Sequence, residues 1–125
     1  MQPTLFFRAE ERKALEELLQ IETPLILSLG GGTPCYYDTM DFLKSFSHLK
    51  TFYLQTEVQT LSLRLAEAKS SRPLISHLEN IEQIQEFVGK HLFERNPFYL
   101  QAEFKINTDR KSVETVAQEI QSQLT

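Results

Sequence analysis

Leu15, Leu18 and Leu19 recur at helical spacing among charged neighbours, which predicts an amphipathic helix over about residues 8–20, closed downstream by Pro24. The next segment has a different pattern. Leu25-Ile26-Leu27-Ser28-Leu29 is a continuous apolar run that ends in glycine, and it predicts a strand buried on both faces. Asp38 is placed to cap a short helix carrying Met40, Phe42 and Leu43, and Thr51-Phe52-Tyr53-Leu54 reads as a second buried strand. Thr56 is the next expected N-cap. Val58, Leu61, Leu63 and Leu65 then carry a helix into the polar stretch Ala68-Lys69-Ser70-Ser71-Arg72-Pro73. A long helix from about Ile81 to Arg95 is expected to stop at Asn96-Pro97, because the residue before proline disfavours the helical region. Phe104-Lys105-Ile106-Asn107 alternates as a last short strand, and Val113, Val116 and Ile120 form the stripe of a C-terminal helix. Strands alternating with helices predict a parallel α/β sheet.

Composition narrows the function classes. The 125 residues fit one domain, 1–125, and 41% hydrophobic residues suffice for a core. With 17 acidic and 13 basic residues mixed along the chain, the net charge of −4 leaves no basic stripe for nucleic acid. No apolar run reaches the length of a membrane span, and the N-terminus lacks the pattern of a signal peptide, so a cytoplasmic location is expected. The single Cys35 has no partner for an intrachain disulfide and no Cys/His cluster near it in sequence. His48, His77 and His91 are scattered without ligand spacing, so no metal ligands are assigned.

The candidate chemistry lies in glycines and arginines. Gly30-Gly31-Gly32 follows the first predicted strand, where a parallel sheet opens onto a crevice and a backbone without side chains can approach a small ligand. The phosphate-cradling pattern G-x-x-x-x-G-K-[ST] is absent from the chain. Arg8 lies near a helix start with Glu11 one turn on, a spacing that holds a guanidinium in place but equally describes a solvated surface pair. Arg72, before Pro73, suits a loop that closes over a charged ligand. Arg95 could simply complement a helix dipole. Several arginines together with a bare glycine loop suit a small anion, since guanidinium binds carboxylate or phosphate through paired hydrogen bonds.

Taken in order, these segments resemble the shikimate kinase family. Phe7-Arg8-Ala9-Glu10-Glu11 resembles its F-R-x-x-E helix start, and Leu27-Ser28-Leu29-Gly30-Gly31-Gly32 its strand and glycine loop. Ser71-Arg72-Pro73-Leu74 resembles its R-P-L lid, and Glu94-Arg95-Asn96-Pro97-Phe98-Tyr99 its R-x-P-x-Y element. Ile106-Asn107-Thr108-Asp109, followed by Lys111, fits its last strand and adenine-side loop. The resemblance implies a fold of the P-loop nucleoside-monophosphate-kinase type, with a lid over about residues 66–80. It also implies transfer of the ATP γ-phosphate, with Mg²⁺, to the 3-hydroxyl of shikimate in aromatic amino-acid (chorismate) biosynthesis. Arg8 and Arg95 would then grip the shikimate carboxylate, and Glu11 would orient Arg8. The backbone of Gly30, Gly31 and Gly32, with Gly31 foremost, would donate an amide to the ring hydroxyls. Arg72 would stabilise phosphate charge as the lid closes, and Lys111, or else Arg110, would lie beside the adenine.

The chain also departs from the family pattern. It lacks the family's first strand, its P-loop with the phosphate-binding lysine and Mg²⁺-binding Ser/Thr, its second strand, and an aspartate near the reacting hydroxyl. The expected fold is therefore truncated at the N-terminus, and this chain alone is expected to be inactive. The alternative is a non-catalytic shikimate-binding or regulatory module. In the family's strand order, 2-3-1-4-5, the absent strand separates Leu25–Leu29 from Thr51–Leu54. Two rows of backbone groups would stand unpaired, so either those strands close on each other, or another chain supplies the missing strand by self-association, or the chain is only marginally folded.

Overall fold

The computed structural model describes residues 3–68 and 77–124. It forms two compact units, Met1–Leu49 and Lys50–Thr125. In the first unit, helix α1 spans Pro3–Leu18 and helix α2 spans Thr39–Lys44, with a short 3-10 turn at Thr33–Cys35 between them. The second unit runs β1 (Phe52–Gln55), α3 (Val58–Glu67), α4 (Ile81–Tyr99), β2 (Phe104–Asn107) and α5 (Val113–Leu124). Class and element order are those of an α/β chain with a small parallel sheet.

The sheet forms where the sequence pattern placed two of its strands. β1 and β2 pair in parallel, in the register Phe52 to Phe104 through Gln55 to Asn107. The Phe52 and Phe104 rings stack with centroids 4.9 Å apart, a cross-strand aromatic contact of the kind that stabilises a ladder. Both strand ends are tied. The Phe104 amide donates to the Thr51 carbonyl and the Thr108 amide to the Gln55 carbonyl, while the Thr56 and Thr108 hydroxyls hydrogen-bond each other. Buried Asp109 takes the Glu57 amide on both carboxylate oxygens, at 3.2 and 3.0 Å, and so holds the entrance of α3. The N-cap of α3 is therefore Glu57 rather than Thr56, whose hydroxyl is engaged across the sheet.

The segment Leu25–Leu29 is not a strand. It belongs to no ladder among the described residues, and Ile26 is 94% exposed. A strand exists only when a neighbour satisfies its backbone groups, and an apolar run does not supply that neighbour. α1 also starts earlier than its leucine spacing predicts, because Pro3 is tolerated in a first turn, where its missing N–H has no helical partner to lose. Asp38 sits at the N-cap of α2 as expected, but its side chain makes no cap bond. Its carboxylate is engaged by Arg12 instead, at 2.7 Å.

Helix α4 begins at a well-formed cap, in which the Asn80 side chain accepts from the Gln83 amide at 2.9 Å and Gln83 accepts from the Glu79 amide. It continues through Pro97 to Tyr99, past the expected stop. Pro97 removes only its own donor. The Leu100 amide still reaches the Asn96 carbonyl at 2.8 Å, and the Tyr53 hydroxyl donates to Asn96 Oδ1 at 2.7 Å, which pins this turn to β1. α3 and α4 pack together around Ile84, Val88 and the fully buried Ser62, whose hydroxyl bonds back to the Val58 carbonyl. In α5, Val116 and Ile120 are half-buried, but Val113, expected in the apolar stripe, is 81% exposed because it opens the helix in its first turn.

Burial, followed by Tyr99, raises the Tyr53 pKa above its ordinary value of 10.0. The folded chain thus favours the neutral phenol, and the unfolded chain loses this proton first. The Tyr53 contribution is complete below the unfolded pKa and is lost as pH rises through the folded one. Tyr53→Phe is expected to lower stability by about 1 kcal/mol at neutral pH. It is also expected to flatten the alkaline decline above about pH 10, as read from denaturant melts across that range.

Candidate functional site

The first unit holds a cluster that the sequence only outlines. Arg8 and Glu11 lie one turn apart on α1, and Arg8 Nη1 donates to Glu11 Oε1 at 2.8 Å. The second carboxylate oxygen, Oε2, accepts from the Thr33 hydroxyl at 2.7 Å. Glu11 is thereby held from both sides, by the helix and by the loop that follows the glycines. The guanidinium lies 4.5 Å from the Tyr36 ring centroid and 5.1 Å from that of Phe7, so it is flanked by π-faces that favour a cation. Its Nε is buried without a hydrogen-bond partner among the described residues. Burial by itself pulls the Arg8 pKa down, but the hydrogen bond and charge of Glu11, and then Tyr36, outweigh it and raise the value overall.

The glycine loop makes room for this arrangement. A Cβ on Gly32 would stand 2.4 Å from Arg8 Nη2 and 2.9 Å from its Cζ. Gly32 has φ −88°, so its absent side chain serves close approach rather than an unusual backbone conformation. A Cβ on Gly30 would meet the Thr33 hydroxyl at 3.3 Å. The Gly31 carbonyl faces Cys35 Sγ at 3.8 Å. The guanidinium, a group that pairs with carboxylates, is here flanked by aromatic rings and set against bare backbone.

The other expected site residues stand elsewhere. Arg95 is on α4, in the second unit, half-buried and without a hydrogen bond or ion pair among the described residues. Lys111 is also in the second unit, where its Nζ contacts Glu119 at 3.0 and 3.1 Å. Its neighbour Arg110 is exposed, with φ at +58°. Arg72 and most of the expected lid over 66–80 lie outside the described residues. Among the described residues, no three His, Cys, Asp or Glu side chains gather as metal ligands. No helix among them is long and apolar enough to cross a membrane.

Comparison with known proteins bears on the whole chain. The shikimate kinase family model matches residues 4–125. This chain belongs to the shikimate kinase family. It is 37% identical over 116 residues to the shikimate kinase of Flavobacterium johnsoniae, and 40% identical over 116 residues to that of Flavobacterium psychrophilum. Each alignment covers 93% of this chain and 66% of the relative, so the chain spans a little under two thirds of their length. The crystal structure of shikimate kinase from Bacteroides thetaiotaomicron is similar with a TM-score of 0.80 at 34% identity, covering 94% of this chain and 67% of that one.

Beyond the shikimate kinase motifs, the structure brings further residues to the cluster. Arg12 was within reach, since its spacing of four from Arg8 puts both on one helix face. It contacts Asp38, Glu16 at 3.1 Å and Thr39 at 3.2 Å, and its guanidinium lies 4.4 Å from the Phe42 ring centroid, so it ties α1 to α2. Thr33 and Tyr36 carried no such signal. Their roles depend on how the loop after the glycines turns back toward α1.

Proposed function

We propose that this chain carries the acceptor-binding part of an ATP-dependent phosphotransferase acting on the 3-hydroxyl of shikimate. The observation that supports this reading most is the Arg8 cluster, a guanidinium oriented by Glu11 against a glycine loop in a member of the shikimate kinase family. Arg8 binds the shikimate carboxylate and Glu11 fixes the guanidinium. The Gly30–Gly32 backbone, through the Gly31 amide, receives a ring hydroxyl. Arg95 is assigned as a second carboxylate ligand from its motif alone. Arg72 belongs to the lid and balances phosphate charge, and Lys111 or Arg110 lies on the adenine side. ATP supplies the transferred phosphoryl group, but the chain has no G-x-x-x-x-G-K-[ST] sequence to cradle its phosphates.

Two measurements test the reading. Titration calorimetry of shikimate into the purified chain is expected to give saturable binding, and no heat would count against an acceptor site. A coupled ADP-release assay on the same chain is expected to show little or no turnover. Turnover at the level of full-length relatives would overturn the proposed inactivity. The alternative, a binding or regulatory module without catalysis, is favoured if shikimate binds with ATP turnover absent even when the preceding coding sequence, read in frame, offers no phosphate-binding loop.

A further inference from the structure

The geometry points to Thr33 as a positioning residue for the acceptor site: its hydroxyl fixes Glu11 so that Arg8 is held in its anion-binding pose. This rests on the acceptor-site reading above. A carboxylate beside an arginine can take the guanidinium with both oxygens, which occupies two donors and leaves fewer for a ligand. Here the Glu11 oxygens are divided. Oε1 accepts from Arg8 Nη1 at 2.8 Å and Oε2 from Thr33 Oγ1 at 2.7 Å. Thr33 is only 5% exposed, so its hydroxyl meets little competition from water. The hydroxyl is itself held in place, because the Thr33 amide donates to the Gly30 carbonyl at 3.1 Å and Pro34 stiffens the following position. The link thus runs from the glycine loop through Thr33 and Glu11 to Arg8.

A residue acting in this way has a distinctive signature. Thr33→Val keeps shape and burial but removes the donor, whereas Thr33→Ser keeps the donor. Shikimate affinity measured by calorimetry is expected to fall roughly five- to tenfold in Thr33→Val, less than for a direct charged hydrogen bond to the ligand because Thr33 acts through Glu11, and to stay within about twofold of the parent in Thr33→Ser. In a Glu11→Ala background, Thr33→Val is expected to have no further effect, since its route to Arg8 is already cut. Equal losses in both backgrounds, or parental affinity in Thr33→Val, would overturn the inference. Solvent exchange of the Arg8 Nε–H, followed by nuclear magnetic resonance without ligand, supplies an independent readout. It is expected to quicken several-fold in Thr33→Val and not in Thr33→Ser, and unchanged exchange in Thr33→Val would contradict the positioning role. If the parent chain gives no heat with shikimate, the acceptor-site reading fails while the exchange measurement still decides the role of Thr33.

Discussion

Gly32→Ala is expected to abolish measurable shikimate binding while leaving the chain folded. The added methyl would stand 2.4 Å from Arg8 Nη2, far inside contact distance, and the guanidinium must leave its place between the loop and Glu11. Because the atoms in the way end a flexible side chain, the change moves Arg8 rather than the backbone. Gly32 already has a φ that alanine adopts freely, so no backbone strain is added. A carboxylate bound through two charge-assisted hydrogen bonds, each worth about 1.5–3 kcal/mol, then loses both, which corresponds to a loss of affinity of about 100-fold or more. Calorimetry with shikimate reads the affinity, and a thermal melt checks the fold. Near-parental affinity with an intact melt would show that Arg8 does not need its present position.

The largest stability effect is expected at Ile84. It is 2% exposed in α4, the helix that packs on α3 and carries Arg95 at its far end. Truncation to alanine removes buried methyl groups and leaves a cavity, for about 3 kcal/mol. Against a typical total of about 5–15 kcal/mol, that is a large fraction and corresponds to a drop of roughly 10 °C in Tm. Val113→Ala, at an exposed position, is expected to change stability by no more than about 0.5 kcal/mol. Differential scanning calorimetry of the two variants checks the contrast, and similar Tm values would contradict the placement of the second unit's core.

Local patterns in the sequence were good guides where the structure is local. The Arg8–Glu11 pair depends on helical spacing alone and forms as expected. Phe104–Asn107 was readable because alternation marks a half-buried strand, and the strand before α3 because aromatic residues favour strands, but it is only half-buried rather than buried as expected, with Leu54 48% exposed. Leu25–Leu29 was not readable, since pairing is supplied by another segment and hydrophobicity cannot report whether that segment is there. Pro97 shows the same limit from the other side. The local bias against helix before proline is outweighed by the Tyr53–Asn96 bond and the closing turn at Leu100, both of which depend on tertiary structure. The glycine triplet was legible as a place where backbone approaches something. That Gly32 is bare on account of Arg8, and that Thr33 completes the clasp on Glu11, required coordinates.

Arg8, set by Glu11 against the glycine loop, is proposed as the carboxylate seat of an acceptor site. The most direct measurement is a titration of the isotopically labelled chain with shikimate, watching the Arg8 Nε–H and the amides of Gly31, Gly32 and Thr33 by nuclear magnetic resonance. These signals are expected to move together and saturate with one affinity, and the methyl ester of shikimate, which lacks the carboxylate charge, is expected to move them far less. Signals that stay still as shikimate is added, or an ester that acts as well as the acid, would contradict it.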